Sequence, residues 1–177
     1  AYPQIYRPSE TSKTLAEKYA ELPNDTVTED VVKVAGRIRA IRNSGMFVDI
    51  SDSTGKVQIY TSKNESSQEL LDMLDLLDIG DIIGVEGIVK RTKRGELSVS
   101  SNKITMLAKA LLPLPEKFHG LTDTDTKYRQ RYLDMITNPE TTETLVKRSQ
   151  IITAIRTLLL DQGLLEVETP LLHVIKG

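Results

Sequence analysis

The chain has 177 residues, a formal net charge of −2 at pH 7, 39% hydrophobic and 27% charged side chains. That balance supports a packed core but no global cationic field, so any contact with nucleic acid must come from a local patch. The lack of cysteine excludes disulfides and thiolate zinc sites, and His119 and His173 form no HxxxH or HExxH pairing, so no metal site is expected.

Thr14 and Glu17 have capping-box spacing, and Leu15, Tyr19 and Leu22 share a face, which predicts a helix over 14–22 within an N-terminal extension, residues 1–30. From 31 to 107 the period is two. Val32, Val34, Gly36, Ile38 and Ala40 alternate with Lys33, Ala35, Arg37 and Arg39. Asn43-Ser44-Gly45 makes a turn, and Met46, Val48 and Ile50 then alternate with Phe47 and Asp49. After the turn at Asp52–Gly55, Val57 and Ile59 alternate with Gln58 and Tyr60. A helix is predicted over 67–77 from Leu70, Leu71, Leu74 and Leu77. Two more strands follow, from Ile82 and from Leu97, with Gly84 and Gly87 suited to sharp bends. Three strands, a helix and two strands is the order of an OB-fold, a five-stranded Greek-key barrel. The fold class expected is α+β: N-terminal helix, barrel, linker, helices.

Residues 108–125, with Pro113 and Pro115, form a linker. Beyond it, residues 126–177 read as helical. One helix is predicted over 126–136, ending at Asn138-Pro139. A longer one over 141–162 buries Leu145, Ile151, Ile152, Ile155, Leu158 and Leu159 and stops at Gly163. Val167 is expected in a strand that starts before Pro170. This last segment has no second layer inside the chain, so its apolar stripe calls for a partner.

Alternation also locates a surface. With Met46, Val48 and Ile50 inward, Phe47 points outward, as do Gln58 and Tyr60, Arg37 and Arg39, and Glu96 and Ser98. An aromatic beside Gln and Arg suits unpaired bases: rings stack on them, Arg holds phosphates or bases, and Gln matches the imino N–H and a carbonyl of uracil. Glu96 accepts from a base N–H but repels phosphate. The competing reading packs Phe47 under the N-terminal helix through Tyr19 or Leu22. Lys90, Arg91, Lys93 and Arg94 form a basic hairpin, equally readable as a solvated turn, and Tyr60 reads as strand filler. Lys147, Arg148 and Arg156 read as a solvated helix face. Asp134 and Glu140 lack a partner carboxylate for acid–base work.

The stretch from Pro115 to Met135, PEKFHGLTDTDTKYRQRYLDM, is cationic, aromatic and too irregular for core. With Lys117-Phe118-His119-Gly120-Leu121 and Tyr128-Arg129-Gln130-Arg131-Tyr132, it resembles the segment leading into the catalytic domain of class II lysyl-tRNA synthetases. Val34–Ile38, Gly80–Val85 and Thr92–Ser98 resemble the same family's barrel. Leu165–Leu172 resembles motif 1, the class II dimer element, with Val167, Pro170, Leu171 and Leu172 at the interface. The resemblance implies an anticodon-binding barrel over 31–107. In it Phe47 stacks on the central uridine, Gln58 pairs with its edge, and Arg42 and Glu96 read a neighbouring base. Arg37, Arg39, Lys93 and Arg94 are supporting tRNA contacts. The connection from Gly45 to Phe47 is shorter than the family's, so the placement of Arg42 is left open.

The parent enzyme implied attaches lysine to tRNA(Lys) through lysyl-adenylate, uses ATP and Mg²⁺, is a homodimer and is cytoplasmic. Motifs 2 and 3 are absent, so neither cofactor nor catalytic residue is expected in this chain, which reads as an excised piece active only in binding tRNA. Neither DNA nor a membrane is expected as a partner: no apolar run approaches the roughly 20 residues that span a bilayer, and AYPQIYRPSE is no signal peptide. The alternatives are an aspartyl- or asparaginyl-tRNA synthetase, which shares the central uridine, and a free-standing single-strand-binding OB protein.

Overall fold

The structure is a computed structural model that describes residues 2–115 and 121–170. The chain divides into two units, Ala1–Leu114 and Pro115–Gly177.

In the first unit five strands close into a barrel in the order β1-β2-β3-β5-β4: β1 (Thr26–Arg42), β2 (Phe47–Ser51), β3 (Lys56–Tyr60), β4 (Ile82–Arg91) and β5 (Leu97–Ala108). Every pairing is antiparallel except that of β3 with β5, which is parallel. The inward residues expected from alternation fill the barrel. Val34, Ile38, Val48, Ile50, Ile59, Ile83, Val85, Val89 and Val99 are all buried. Each such side chain contributes about 1.5–3 kcal/mol by leaving water, and β-branching suits the pleated surface.

The strand β1 departs from the expected alternation at one point. Its register with β2 runs from Ile38 opposite Ile50 to Ala40 opposite Asp49, leaving Arg39 as the extra residue of a bulge. The bulge reverses the parity of the remaining strand residues. Ala40, expected inward, moves to the outer face, Ile41 turns toward the core opposite Val48, and Arg42 ends outward opposite Phe47. The tight turn to β2 then runs through positive φ at Asn43, Ser44 and Gly45. Gly45 is needed there twice over, because its φ of +85° is left-handed and a Cβ would press on Leu74.

Helix α1 (Ser12–Lys18) begins and ends earlier than expected. Its capping box is Thr11 with Thr14, not Thr14 with Glu17. Thr14 N–H donates to Thr11 Oγ1 at 3.1 Å and Thr11 N–H to Thr14 Oγ1 at 2.8 Å. The start is set from outside the helix, where Ser12 N–H donates to Asp52 Oδ2 at 2.7 Å while Asp52 Oδ1 gathers Thr54 and Gly55 of the β2–β3 turn. Leu15 and Tyr19 are buried as expected. Helix α2 (Gln68–Asp75), capped by Ser67, buries Leu70 and Leu74.

The glycines of β4 serve close approach more than bending. A Cβ at Gly84 would run into the Tyr6 ring, and one at Gly87 into the Ser100 carbonyl, where the β4–β5 register shifts. The chain leaving β5 stays fastened to the barrel. Lys109 Nζ lies 2.8 Å from Oδ2 of the fully buried Asp81, and Ala110 N–H donates to Asp81 Oδ1 at 2.8 Å.

In the second unit the single helix expected over 126–136 is two, α3 (Thr124–Arg129) and α4 (Arg131–Thr137). They are broken at Gln130, whose φ of −116° and ψ of 55° cannot continue a helix. Asn138 caps α5 (Pro139–Asp161), with Pro139 in the first turn, where its missing N–H costs nothing. The burial expected along α5 is not found: Leu145, Ile151, Ile155, Leu158 and Leu159 are 36% to 60% exposed. Helix α4 packs along it, and Arg156 of α5 pairs at 2.9 Å with Glu166 of the segment that follows. No strand forms over 164–170, so Val167, expected to begin one, lies exposed in extended chain. Leu171 and Leu172 fall outside the described residues, as do His119 and His173. No helix among the described residues is long and apolar enough to cross a membrane.

Candidate nucleic-acid interface

Strand register arranges the outer face of the barrel in two transverse rows. One runs Arg42, Phe47, Tyr60, Ser100; the next runs Ala40, Asp49, Gln58, Ser98. Between them the inward row Ile41, Val48, Ile59, Val99 anchors both to the core. Rigid strands therefore carry these side chains, with the core setting their spacing.

Phe47 is half-buried, its ring 5.3 Å from that of Tyr60 and tilted by 52°. Its ring partner is Tyr60; Tyr19 is occupied elsewhere, hydrogen-bonded to Asp30 at 2.6 Å. Beside Phe47 opens a cleft of about 710 Å³ whose lining includes Arg42, Asp49, Gln58, Lys93, Arg94 and Glu96. The four residues expected to read bases thus meet in one place, joined by Lys93 and Arg94. Arg37 and Arg39 do not. Arg37 donates through Nη1 to the Gly80 carbonyl at 2.8 Å. Arg39 is the bulge residue, its pKa lowered by burial and by neighbouring Arg37.

Two partners in the cleft were not foreseen from the sequence. Arg42 Nη2 lies 2.6 Å from Asp49 Oδ1, so the guanidinium is held toward the outer row by a carboxylate. Gln58, expected to project freely, is only 9% exposed, and Ser98 donates to its Oε1 at 3.0 Å. Ser98 itself, expected on the outer surface, is fully buried. That bond uses one lone pair of the amide carbonyl and leaves the NH₂ group as the donor Gln58 can offer. The only sequence signal for either pairing was the shared parity of these residues. The Arg42 partnership further required the bulge.

The basic hairpin divides by role. Arg91 is structural, donating to the carbonyls of Gly95 at 2.8 Å and Tyr19 at 2.7 Å. Glu96 is aimed by its turn, its N–H donating to Thr92 Oγ1 at 3.0 Å. Lys93 stands 3.9 Å from Asp25, an exposed pair worth little, so its ammonium is free to move to a ligand.

Residues 32–107 match the family described as OB-fold nucleic acid binding domain, and residues 123–177 match tRNA synthetases class II (D, K and N). The lysine–tRNA ligases of Sinorhizobium medicae and Rhizobium meliloti are 49% and 50% identical over 99% of this chain, and that of Dehalococcoides mccartyi is 44% identical over 97%. The chain belongs to the class II lysyl-tRNA synthetases. It spans 35% of the length of these relatives. Membership in the lysyl-tRNA synthetases accounts for both halves at once, a barrel for nucleic acid and the first helices of a class II domain. No three His, Asp or Glu among the described residues are placed to hold a metal ion. Asp134, the buried carboxylate of α4, accepts from Thr141 Oγ1 at 2.9 Å through Oδ2, while its Oδ1 is buried without a hydrogen-bond partner.

Proposed function

We propose that the barrel binds the anticodon loop of tRNA(Lys) in the cleft beside Phe47. Phe47 stacks on the central uridine, Gln58 bonds its edge, Arg42 and Glu96 read a neighbouring base, and Lys93 and Arg94 steady the backbone. The observation that carries this reading is the convergence of Arg42, Phe47, Gln58 and Glu96 on one cleft. A ring supplies affinity for any base, about 1–3 kcal/mol by stacking. Selectivity then falls to the directed groups: the Gln58 NH₂ donates to a uracil carbonyl, the Glu96 carboxylate accepts from a base N–H, and Arg42 donates in a fixed fork. In this assignment residues 31–107 are the anticodon-binding domain, 108–125 the linker, and 126–177 the beginning of the catalytic domain.

The relatives' name supports a lysine–tRNA ligase activity for the whole protein; the resemblance further implies a cytoplasmic enzyme that uses ATP and Mg²⁺ through lysyl-adenylate. Its homodimer forms around the segment of Val167, Pro170, Leu171 and Leu172. The test concerns the barrel. Phe47→Ala weakens binding of this chain to an anticodon stem-loop with a uridine-rich loop by roughly 5- to 100-fold, the loss of one stacked base. Phe47→Tyr retains it. Equal affinity for a loop with its uridines replaced by cytidines sinks the anticodon assignment.

A further inference from the structure

Lys90 extends the second outer row by one strand, giving Asp49, Gln58, Ser98, Lys90 across β2, β3, β5 and β4. From there it leans back over the platform, its Nζ 3.1 Å from the centroid of the Tyr60 ring, the same ring that packs on Phe47. Two of the cations lining the cleft have acids beside them, Arg42 with Asp49 at 2.6 Å and Lys93 with Asp25 at 3.9 Å. Lys90 has no ion pair within 4 Å among the described residues; burial lowers its pKa, and the charge of Glu65 offsets that only in part. An aromatic face offsets about 0.5–2 kcal/mol of such a cation's desolvation but accepts no conventional hydrogen bond and leaves the charge whole. A half-buried ammonium held on the edge of a base-stacking platform, with donors to spare, is the counterpart of an anion.

We propose that Lys90 holds a backbone phosphate of single-stranded RNA, that of a nucleotide adjoining the base stacked on Phe47. The inference rests on the anticodon reading of the cleft and adds a polarity to it. Base edges face the side where Asp49 and Glu96 repel phosphate and Gln58 donates. The sugar–phosphate backbone leaves across Tyr60 toward the unpaired cation. Lys90 contributes affinity without sequence information, since a phosphate is the same beside every base.

Salt dependence separates the two roles. Binding of this 177-residue chain to a uridine-anticodon stem-loop is measured across a range of potassium chloride concentrations. Lys90→Met, which keeps the hydrocarbon stem over Tyr60, is expected to flatten the slope of log K against log salt by about 0.7, the value for one phosphate on a single strand. It weakens binding to uridine and cytidine loops by the same factor. Lys90→Arg keeps the wild-type slope. Phe47→Ala is expected to lose affinity with the slope unchanged.

A second measurement leaves the protein intact. A stem-loop with a single uncharged methylphosphonate linkage, next to the base stacked on Phe47, should cost the wild type that increment of slope and cost Lys90→Met nothing more. An unchanged slope in a folded Lys90→Met protein, or losses from the two changes that add in full, overturns the proposal and leaves Lys90 as a cap on Tyr60. If Phe47→Ala binds like the wild type, the anticodon reading fails and the inference falls with it. If Phe47→Ala weakens binding while Lys90→Met leaves the slope untouched, only the inference falls.

Discussion

Gln58 is hydrogen-bonded to a fully buried neighbour, Ser98. Its Oε1 accepts from Ser98 Oγ at 3.0 Å and both side chains are shielded, so this bond biases the amide toward one orientation; flipped, the amide would donate to Ser98 Oγ, whose proton would turn to the Glu96 carbonyl 3.3 Å away. In the anticodon reading proposed above, discrimination between uracil and cytosine depends on which end of the amide meets the base, because the two bases exchange donor and acceptor at that edge. Ser98→Ala removes the bias while leaving Phe47 and its stacking in place. The expected result is a uridine-over-cytidine preference reduced by roughly fivefold, about 1 kcal/mol, with affinity for the uridine loop changed less. Stem-loop titrations of both RNAs check it, and a preference equal to wild type would show that Gln58 aims itself. Arg42 is held in a comparable way by Asp49, but at an exposed site where such a pair adds little to stability. Its value there is placement.

At the scale of elements, the barrel was legible because buried strands alternate, and the alternation of Val32 to Ile38, Val48 to Ile50 and Val57 to Ile59 left one inward set. What escaped was decided by distant contacts. The Arg39 bulge has no local mark: Ala40 fits either face, so the pattern runs on smoothly past the point where the register breaks. The start of α1 escaped for the same reason. Thr11 and Thr14 both suit a cap, and the choice lies with Asp52, forty residues on, which accepts the Ser12 N–H at 2.7 Å.

That carboxylate carries a testable pH dependence. Burial alone would raise the pKa of Asp52, but the donors from Ser12 and Thr54 outweigh it and hold it below the ordinary carboxylate value. A lowered folded pKa means stability that is fully present above the unfolded value of about 3.9 and lost as pH falls through the folded one. Asp52→Asn should therefore lower the melting temperature at pH 7, with the gap to wild type closing as the pH drops below about 4. A gap independent of pH would assign the effect to shape and not to charge.

For the whole molecule, the two units differ in how much of themselves they bury. The barrel closes on its own core, whereas α5 leaves Ile151, Ile155, Leu158 and Leu159, a stripe at helical spacing, 43% to 60% exposed. Periodicity revealed that face but could not say what covers it, which is why burial was expected and exposure found. A stripe of this length in water favours association, and the homodimer proposed above makes a second copy the occupant to test. Sedimentation velocity at rising concentration should show this chain shifting from monomer to a larger species. Ile155→Asp combined with Leu159→Asp places two charges one turn apart on the stripe. It should abolish the shift while stem-loop affinity stays within about twofold, since surface changes outside a site perturb little. Association that persists in the double variant would move the interface to another face. Loss of RNA binding along with association would mean that the barrel's grip depends on the paired state.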